Sequence, residues 1–316
     1  MRWAGTRWAG VLGWTVRKGV SALAVLLGAA TLSFVAMQLI PGDPARALVG
    51  SAPATPETMA AVRHEMGLDL PLPLRYLHYL GRLARFDLGR SYQLQEPVST
   101  VIGDQIVPTA QLAFAALGFA LVAALLTAGL TAGRWPRLGR LVQGAELLLI
   151  STPGFWLGMM LLAVLSFRWH LFPVAGATGV RGLVLPAVTL GAPLGAVLSQ
   201  VLRTEIETAL RQPFAMSVRA RGVGPSALRM RHLVRHGVVP VATLSGWLLG
   251  GLLGGAVLVE TVFARPGLGR VTLEAVTGRD FPVVSALVML LALVFVTVNT
   301  LVDAVCRIAD PRLRAA

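Results

Sequence analysis

"PVVSALVMLLALVFVTVNTLVDAVC", residues 282–306, is the stretch that decides the fold of this chain. Asp303, close to its end, is its only charged residue. A single helix needs about 20 mostly apolar residues to cross the roughly 30 Å hydrocarbon core of a bilayer, and this stretch is long enough. We therefore interpret residues 282–306 as a membrane-spanning helix.

Five further segments meet the same test, and they are 19–40, 107–132, 141–166, 183–202 and 238–262. The composition agrees with this interpretation, because 14% of the residues are charged, against about 25% in soluble domains. The segment 19–40 is longer and more uniform than a cleaved signal peptide, so we count it as a spanning helix. The sequence thus predicts an all-α, polytopic membrane protein with about six transmembrane helices.

Positive charges are concentrated in the loops that lie on one side of the predicted helices. They occur in the N-terminal tail, in the loop 134–140, between 203 and 235, and after 306. Because cytoplasmic loops of membrane proteins carry an excess of Lys and Arg, both termini are predicted to be cytoplasmic. The net charge of +13 is therefore explained as an orientation signal, and a nucleic-acid partner is not expected.

This orientation divides the chain into three parts. Residues 1–40 form the N-terminal tail and first span, 41–106 an extracytoplasmic segment with short helices, and 107–316 a core of five spans. The core contains a cytoplasmic loop at about 203–238. In the extracytoplasmic segment, Thr55 followed by Pro56 is typical of a helix start. A second, amphipathic helix is predicted by leucines at roughly helical spacing, namely Leu74, Leu77, Leu80, Leu83 and Leu88.

The chain has none of the common sequence signatures of catalysis or metal binding. Lys18, its only lysine, is followed by Gly19, so no nucleotide-binding P-loop is present. Cys306 is the only cysteine, which excludes a cysteine metal cluster. His232 and His236 share one predicted helix face but lie among arginines, which repel cations, so we interpret them as part of a solvated basic face. We expect neither catalytic residues nor a metal site, and we do not expect this chain to be an enzyme.

The predicted third span carries two unusual features. Glu146 is a charge within an apolar helix, and its position favours a structural or interfacial role, with a role in the transport path as the alternative. Pro153 and Gly154 predict a kink in the same helix. The large, adaptable side chains that follow are candidates for lining a passage, with ordinary packing as the alternative; they include Phe155, Trp156 and Met159.

The cytoplasmic loop is punctuated by proline and glycine. Pro213 predicts the start of a short helix, Gly222 its end, and Pro225 the start of a second helix that runs to His236, after which Pro240 begins the next span. Two short helices joined at a glycine form a projecting knob. The knob fits a lipid surface through its charge, but its tightly defined turns favour a protein socket.

In this loop and along nearly its whole length, the sequence resembles the inner-membrane permease subunits of ABC importers of the dipeptide, oligopeptide and nickel class. The loop residues "RARG" (219–222) resemble that class's version of the EAA coupling segment, with Met216-Ser217-Val218 in place of Glu-Ala-Ala. Further similar motifs follow in family order and include "LIPGDPA" (39–45), "DLGRSY" (87–92), "STPGFW" (151–156), "LPAVTL" (185–190), "GGAVLVETVFARPGLGR" (254–270), "RDFPVV" (279–284) and "DPRLR" (310–314).

The resemblance implies a type I ABC importer-like permease fold in the bacterial cytoplasmic (inner) membrane. It implies a partnership with a second homologous permease, two ATPase domains, an extracytoplasmic substrate-binding protein and membrane lipid. ATP and Mg would be bound in the ATPase subunits, with no cofactor in this chain. The coupling segment to the ATPase would comprise Phe214, Ser217, Arg219, Arg221 and Gly222. The residues facing the binding protein would be Glu260, Phe263, Pro266, Gly267 and Gly269.

The resemblance leaves the substrate open. Di- and oligopeptides are expected first, but the outer loop "RWHLFPVAGATGVRG" (168–182) is short, as in the nickel and metal-chelate members, so these or another small solute are the alternative. Two other classes of function also remain. An ion-coupled secondary transporter would need intramembrane acids, which are scarce here. A membrane enzyme or an assembly scaffold would need a catalytic or partner site that the sequence does not indicate.

Overall fold

The structure is a computed structural model of the 316-residue chain. It describes residues 3–39, 45–46, 55–65, 68–133, 135–174, 176, 179–224, 227–228 and 234–309. The motifs at 39–45 and 310–314 therefore lie largely or wholly outside the described residues. Regular secondary structure in the described part is helical, beside one isolated β-bridge between Arg90 and Pro97. The predicted all-α class is confirmed.

The helices of the N-terminal half are α1 (Trp3–Leu39), α2 (Pro56–Glu65), α3 (Leu72–Ala84), α4 (Val98–Thr131), α5 (Pro136–Ser151) and α6 (Gly154–Leu161), which continues as a π-helical stretch (Leu162–Arg168). The helices of the C-terminal half are α7 (Val180–Leu210), α8 (Pro213–Ala220), α9 (Val234–Val262), α10 (Leu268–Thr277) and α11 (Phe281–Ala309).

Four helices are each long and apolar enough to cross a membrane alone, namely α1 over Gly13–Leu39, α4, α7 and α11 over Phe281–Ala304. Two bent pairs supply two more spans if each pair is counted as one. In the first pair, α5 and the helix Gly154–Arg168 differ in direction by 109°. In the second, the parts Gly237–Leu252 and Gly254–Val262 of α9 differ by 54°. The described residues thus contain up to six spans, as the hydropathy pattern predicts.

Two helix starts show how local sequence sets the boundaries. At α2, the Thr58 backbone N–H donates to the Thr55 hydroxyl over 3.3 Å and Pro56 is the first helical residue, so this predicted start is confirmed. At α9, the helix begins at Val234 and Pro240 lies inside it. The prediction that Pro240 starts the span was wrong. Proline has no backbone N–H to donate to the carbonyl four residues earlier, and the helix continues past Pro240 without that one hydrogen bond.

The contacts divide the chain into two compact units. The first comprises Met1–Ile106 and Val271–Thr297, and the second comprises Val107–Arg270 and Val298–Ala316. The division by sequence into 1–40, 41–106 and 107–316 keeps residues 271–297 with the core, whereas the contacts group them with the N-terminal part.

In the first unit, α3 is held mainly by tyrosines. The Tyr76 ring contacts the edge of Phe34 on α1 with the ring centroids 5.2 Å apart, and the Tyr79 hydroxyl lies 2.6 Å from the Ser285 hydroxyl on α11. Leu74 is exposed, as is Leu77. The amphipathic helix predicted from the leucine spacing is present but ends at Ala84, so Leu88 lies beyond it, and tyrosines carry its described contacts.

The core of the second unit is built on close packing of α4 against α7. Alanines recur every fourth residue along one face of α4 and at the residue that follows it, and all are buried: Ala116, Ala120, Ala124, Ala128 and Ala132. Gly191 of α7 faces this stripe so closely that an added Cβ would lie 2.5 Å from the Ala116 carbonyl oxygen. Small residues let helix backbones approach in a membrane, where packing contacts rather than hydrophobic burial hold helices together.

Candidate functional site

Helix α8 is a short helix fixed to the protein by one face. Ala215 and Val218 are buried, and Val218 packs with Leu202 and Ile206 of α7 in an apolar cluster that Phe214 also contacts. Ser217, Arg219 and Arg221 lie on the exposed side. The cluster also includes Ala128 of α4 and Ala132 directly after it, so a displacement of α8 bears directly on the packed pair α4 and α7.

Gly222 ends α8 in a conformation that favours glycine. Its φ is +81°, and its backbone N–H donates to the Arg219 carbonyl over 2.9 Å. The surrounding space is open, since an added Cβ would meet no atom within 4 Å. The constraint on this residue is therefore conformational rather than steric, because side chains disfavour positive φ. The sequence prediction of a turn at Gly222 is confirmed.

The second helix of the predicted knob falls mostly outside the described residues. Positions 225–226 and 229–233 are not described, while Leu228 is buried in the same cluster as Val218. The chain thus returns to the protein body shortly after Gly222. His232 is not described, and the side chain of His236 is not either, so the basic face assigned to them stays a prediction.

Glu146 and Arg203 form a buried ion pair inside the second unit. Arg203 donates to both carboxylate oxygens, over 2.6 Å from Nη2 and 3.1 Å from Nη1. Both side chains are about as buried as core leucines, with exposed fractions of 5% each. Two charges removed from water are tolerated only when they are paired and hydrogen-bonded. Glu146 is therefore a structural charge that joins α5 to α7, as its interpretation from sequence favoured.

Three hydroxyl groups complete the surroundings of this pair. Ser199 donates to Glu146 over 2.6 Å, Thr131 accepts from Arg203 Nε over 3.1 Å, and Thr127 lies 2.7 Å from Ser199. The network links α4, α5 and α7. The positive charge of Arg203, which the charge pattern assigns to the cytoplasmic loop, is paired with Glu146 inside the protein.

The break after α5 separates two helices at Thr152 and Pro153. Pro153 is exposed and precedes α6 in an extended conformation, with φ −59° and ψ 132°. Proline disfavours helix at the residue before it, and Thr152 is extended. The sequence predicted a kink within one helix, whereas the structure has two separate helices whose directions differ by 109°. Beyond the break, Gly158 packs against Phe263 and Thr189, where an added Cβ would lie 3.2–3.3 Å from their side chains.

The candidate passage residues lie on the faces of α6 that point away from the contact of Gly158 with Phe263 and Thr189. Phe155, Trp156 and Met159 are each close to half exposed. They form an apolar surface that the described residues of this chain leave uncovered. Their assignment to a translocation path stays a prediction.

The turn between α9 and α10 is organised around the Glu260 carboxylate. Glu260 is completely buried and accepts hydrogen bonds from the Thr109 hydroxyl over 2.6 Å and from the Gly269 and Arg270 backbone N–H groups over 2.8 and 3.2 Å. Thr109 in turn accepts from the Leu268 N–H over 2.8 Å. A carboxylate at the first turn of a helix satisfies otherwise unpaired N–H groups and complements the helix dipole. Glu260 thus fixes the start of α10.

The glycines of this turn are required by the same carboxylate. A Cβ at Gly267 would coincide with the Glu260 carboxylate, and one at Gly269 would collide with the Val257 backbone. Phe263 is buried between α6 and α7, while Pro266 is exposed. Of the five residues expected to face a binding protein, only Pro266 is therefore at the surface, and the other four build the turn that carries it.

In the first unit, Asp280 organises the loop before α4. Its buried carboxylate accepts hydrogen bonds from the Ser91 hydroxyl, from the Tyr92 N–H over 3.1 Å and from the Gln93 N–H over 3.3 Å. The two motifs "DLGRSY" and "RDFPVV" are thus joined in space. Burial, reinforced by the nearby Asp280 charge, raises the pKa of Tyr92 to about 12.

No described cluster of three or more His, Cys, Asp and Glu side chains is arranged to hold a metal ion. The buried acids instead have structural partners. Glu146 pairs with an arginine, Glu260 accepts hydrogen bonds from a helix terminus, and Asp280 accepts hydrogen bonds from a loop.

Comparison with known proteins places these features in one family. Residues 120–315 match the family of binding-protein-dependent transport system inner membrane components, and residues 11–113 match the N-terminal region of such components. A Brucella abortus (strain 2308) protein named as a peptide transport system permease is 35% identical over 310 residues, covering 95% of this chain and 98% of the relative. The glutathione transport system permease protein of Salmonella typhimurium is 33% identical over 308 residues, covering 96% and 99%.

The chain belongs to the family of binding-protein-dependent transport system inner membrane components. It is a multi-pass inner-membrane permease subunit of an ABC importer. The expectation from the sequence motifs is confirmed, and the interpretations as a secondary transporter or a membrane enzyme are set aside.

Proposed function

We propose that this subunit forms half of the passage through which an ATP-driven importer moves peptides. The relatives named as peptide and glutathione permeases align over nearly their whole length, which supports a peptide-type substrate over a nickel chelate. The complete importer would contain a second homologous permease, two ATPase domains that bind ATP and Mg, and an extracytoplasmic binding protein. Hydrolysis would take place in the ATPase subunits.

The observation that carries this proposal is the placement of α8. One face of this helix is locked into the cluster formed by α4 and α7, and the opposite face, with Ser217, Arg219 and Arg221, is exposed. A helix held in this way transmits a push from an ATPase groove to the helices that carry the passage. Phe214 would form part of the lever, and Gly222 would let the chain turn back to the membrane.

The outer turn and the broken helix are the complementary parts of the mechanism. Pro266, presented by the buried frame of Glu260, Phe263, Gly267 and Gly269, would face the binding protein. Phe155, Trp156 and Met159, preceded by the break at Pro153, would line the passage. Alternating access would then open this apolar surface to one side of the membrane at a time.

The coupling role of α8 is tested by Gly222→Val in the complete importer, reconstituted in proteoliposomes with its binding protein. Valine disfavours φ of +81°, so the turn shifts and ATP-driven uptake falls by at least about fivefold, the lower end of typical coupling effects. Gly224→Val is the matched control, because Gly224 is exposed, lies in equally open space and does not have positive φ.

A second pair of variants tests the charges. Arg219→Glu combined with Arg221→Glu lowers uptake, whereas Arg137→Glu, an exposed arginine at the start of α5, leaves uptake within about twofold of the unaltered importer. Uptake that is unchanged in both Gly222→Val and the double arginine variant contradicts the coupling role.

A further inference from the structure

A small pocket at the beginning of α7 carries two arginines and has no assigned role. Arg181 from α7 and Arg265 from the turn after α9 line it, together with the apolar residues Pro173, Leu185, Pro186 and Phe263. All of these residues belong to the second unit. Its free space is about that of one water molecule, which suits a single compact polar group.

Arg265 is buried without full hydrogen bonding. Its side chain is 8% exposed, and its Nε has no partner among the described residues. Nη2 donates to Gln111 over 3.3 Å. The Glu260 carboxylate is close enough to interact electrostatically, but its oxygens accept from Thr109, Gly269 and Arg270. A buried guanidinium N–H left unpaired is costly, so an acceptor atom that enters the pocket would be bound favourably by Arg265.

The charges around the pocket favour an anion. The described lining contains two guanidinium groups and no acidic side chain. Gly182, in the first turn of α7, also borders the pocket, and the preceding Gly179 provides no side-chain cap for this helix terminus. The unpaired N–H groups and positive dipole end of a helix add to the attraction of a negative group. The forked donors of arginine match a carboxylate or a phosphate, and the carboxylate is the one that a free peptide carries.

The pocket lies at the opposite end of α7 from the coupling helix. The pocket residues surround the first turns of α7, and α8 follows its last turn. The 31 residues of α7 span about 46 Å, more than the roughly 30 Å hydrocarbon core. With α8 on the cytoplasmic side, the pocket therefore opens on the extracytoplasmic side, where substrate arrives.

We propose that Arg265 and Arg181 form an extracytoplasmic carboxylate-binding site that receives the free carboxylate of the incoming peptide. This inference rests on the proposed peptide substrate. Arg265 supplies the unpaired buried donor, and exposed Arg181 attracts the anion toward it. The enclosed space has room for one carboxylate oxygen beside Arg265, so the rest of the peptide stays outside the pocket and the site accepts different side chains.

The test uses the complete importer in proteoliposomes with its binding protein. The probes are a pool of di- to pentapeptides with free C-terminal carboxylates and the same pool as C-terminal amides, with uptake measured by mass spectrometry. We expect Arg265→Gln and Arg181→Gln to lower uptake of the free-carboxylate pool by at least about fivefold, since each removes a charge-assisted contact. Any uptake of the amide pool is expected to be unaffected. Arg168→Gln, another exposed outer arginine, is the control.

The other possible uptake results separate a failure of the carboxylate site from a failure of the proposed function. An equal loss for both pools, or no loss for either, contradicts the carboxylate site while leaving the peptide function intact. ATP-driven uptake of neither pool by the unaltered importer contradicts the proposed function itself. Because a carboxylate side chain of the binding protein offers the same chemistry, the affinity of the importer for the loaded binding protein is measured as well. A weaker affinity in Arg265→Gln assigns the pocket to that protein and contradicts a substrate site.

A folding defect is distinguished by a second variant. Arg265→Lys preserves the buried charge but not the forked donors, and we expect uptake of the free pool between that of the unaltered importer and Arg265→Gln. If Arg265→Gln does not assemble with the ATPase subunits, Arg181→Gln decides the question, because it alters an exposed side chain.

Discussion

Glu146 of α5 and Arg203 of α7 are joined through two hydrogen bonds between guanidinium and carboxylate, and both charges are out of contact with water. Removing both charges from water is costly, and their mutual attraction offsets that cost only while the pair is intact. The main effect of the pair is therefore to fix which residues of α5 and α7 contact each other, and its contribution to stability is small.

This balance predicts a non-additive mutational response. Glu146→Leu or Arg203→Met alone leaves an uncompensated buried charge and lowers the free energy of unfolding by about 3–5 kcal/mol. The double variant Glu146→Leu with Arg203→Met removes both charges and loses much less. Denaturant titration of the purified subunit in mixed micelles measures all three. Single and double variants that lose stability additively contradict a buried, coupled pair.

At this scale, the sequence identified the unusual residues but not their partners. Glu146 was recognised as a structural charge from its apolar surroundings, whereas Arg203 was grouped with loop arginines because α7 continues beyond the apolar segment 183–202. Glu260 was noted as part of an outer turn. Its capping of α10 depends on Thr109, which is 151 residues away in sequence, and no local pattern contains such a contact.

Where α4 contacts α7, the backbones are so close that little room is left for side chains at two glycines of α7. Gly191 meets the Ala116 carbonyl oxygen, and Gly195 comes close to the Ala120 backbone. The recurrence of alanine every four residues in α4 is visible in the sequence and predicts a face for close helix packing. Its partner helix is not predictable from that pattern alone.

A matched pair of substitutions tests this contact. Gly191→Ala places a Cβ 2.5 Å from the Ala116 oxygen and lowers the free energy of unfolding by about 1–3 kcal/mol, as overpacking does. Gly118→Ala on α4 meets open space and stabilises by up to about 1 kcal/mol, because alanine favours helix over glycine. The same micelle titration compares them. Equal effects of the two substitutions contradict the close approach of α4 and α7.

The helix boundaries were predictable where short-range chemistry sets them. Thr55 with Pro56 predicted the start of α2, and Gly222 predicted the end of α8. Pro153 predicted an interruption but not its angle, since the angle depends on how Gly158 packs against Phe263 and Thr189. Pro240 was assigned as the start of the span because a separate short helix was predicted to end at His236, yet one helix continues from Val234 through both residues.

For the whole molecule, hydropathy was sufficient to predict an all-α membrane protein with about six spans, while the cytoplasmic position of the termini stays a prediction from the charge pattern. The ordered motifs then predicted the family, and its members align along nearly the full chain. The grouping of 271–297 with the N-terminal part was not predictable, because it follows from contacts such as Asp280 with Ser91 that join distant segments.

Contact between the exposed face of α8 and the ATPase subunit, on which the proposed coupling rests, is measured directly by cross-linking. Cys306 is the only cysteine, so Cys306→Ser provides a cysteine-free background for Ser217→Cys on α8 and for Val180→Cys at the far end of α7. With a short cysteine-to-amine cross-linker in the assembled importer, Ser217→Cys is predicted to link to the ATPase subunit and Val180→Cys is not. Cross-linking of Ser217→Cys that is no stronger than that of Val180→Cys would contradict the account.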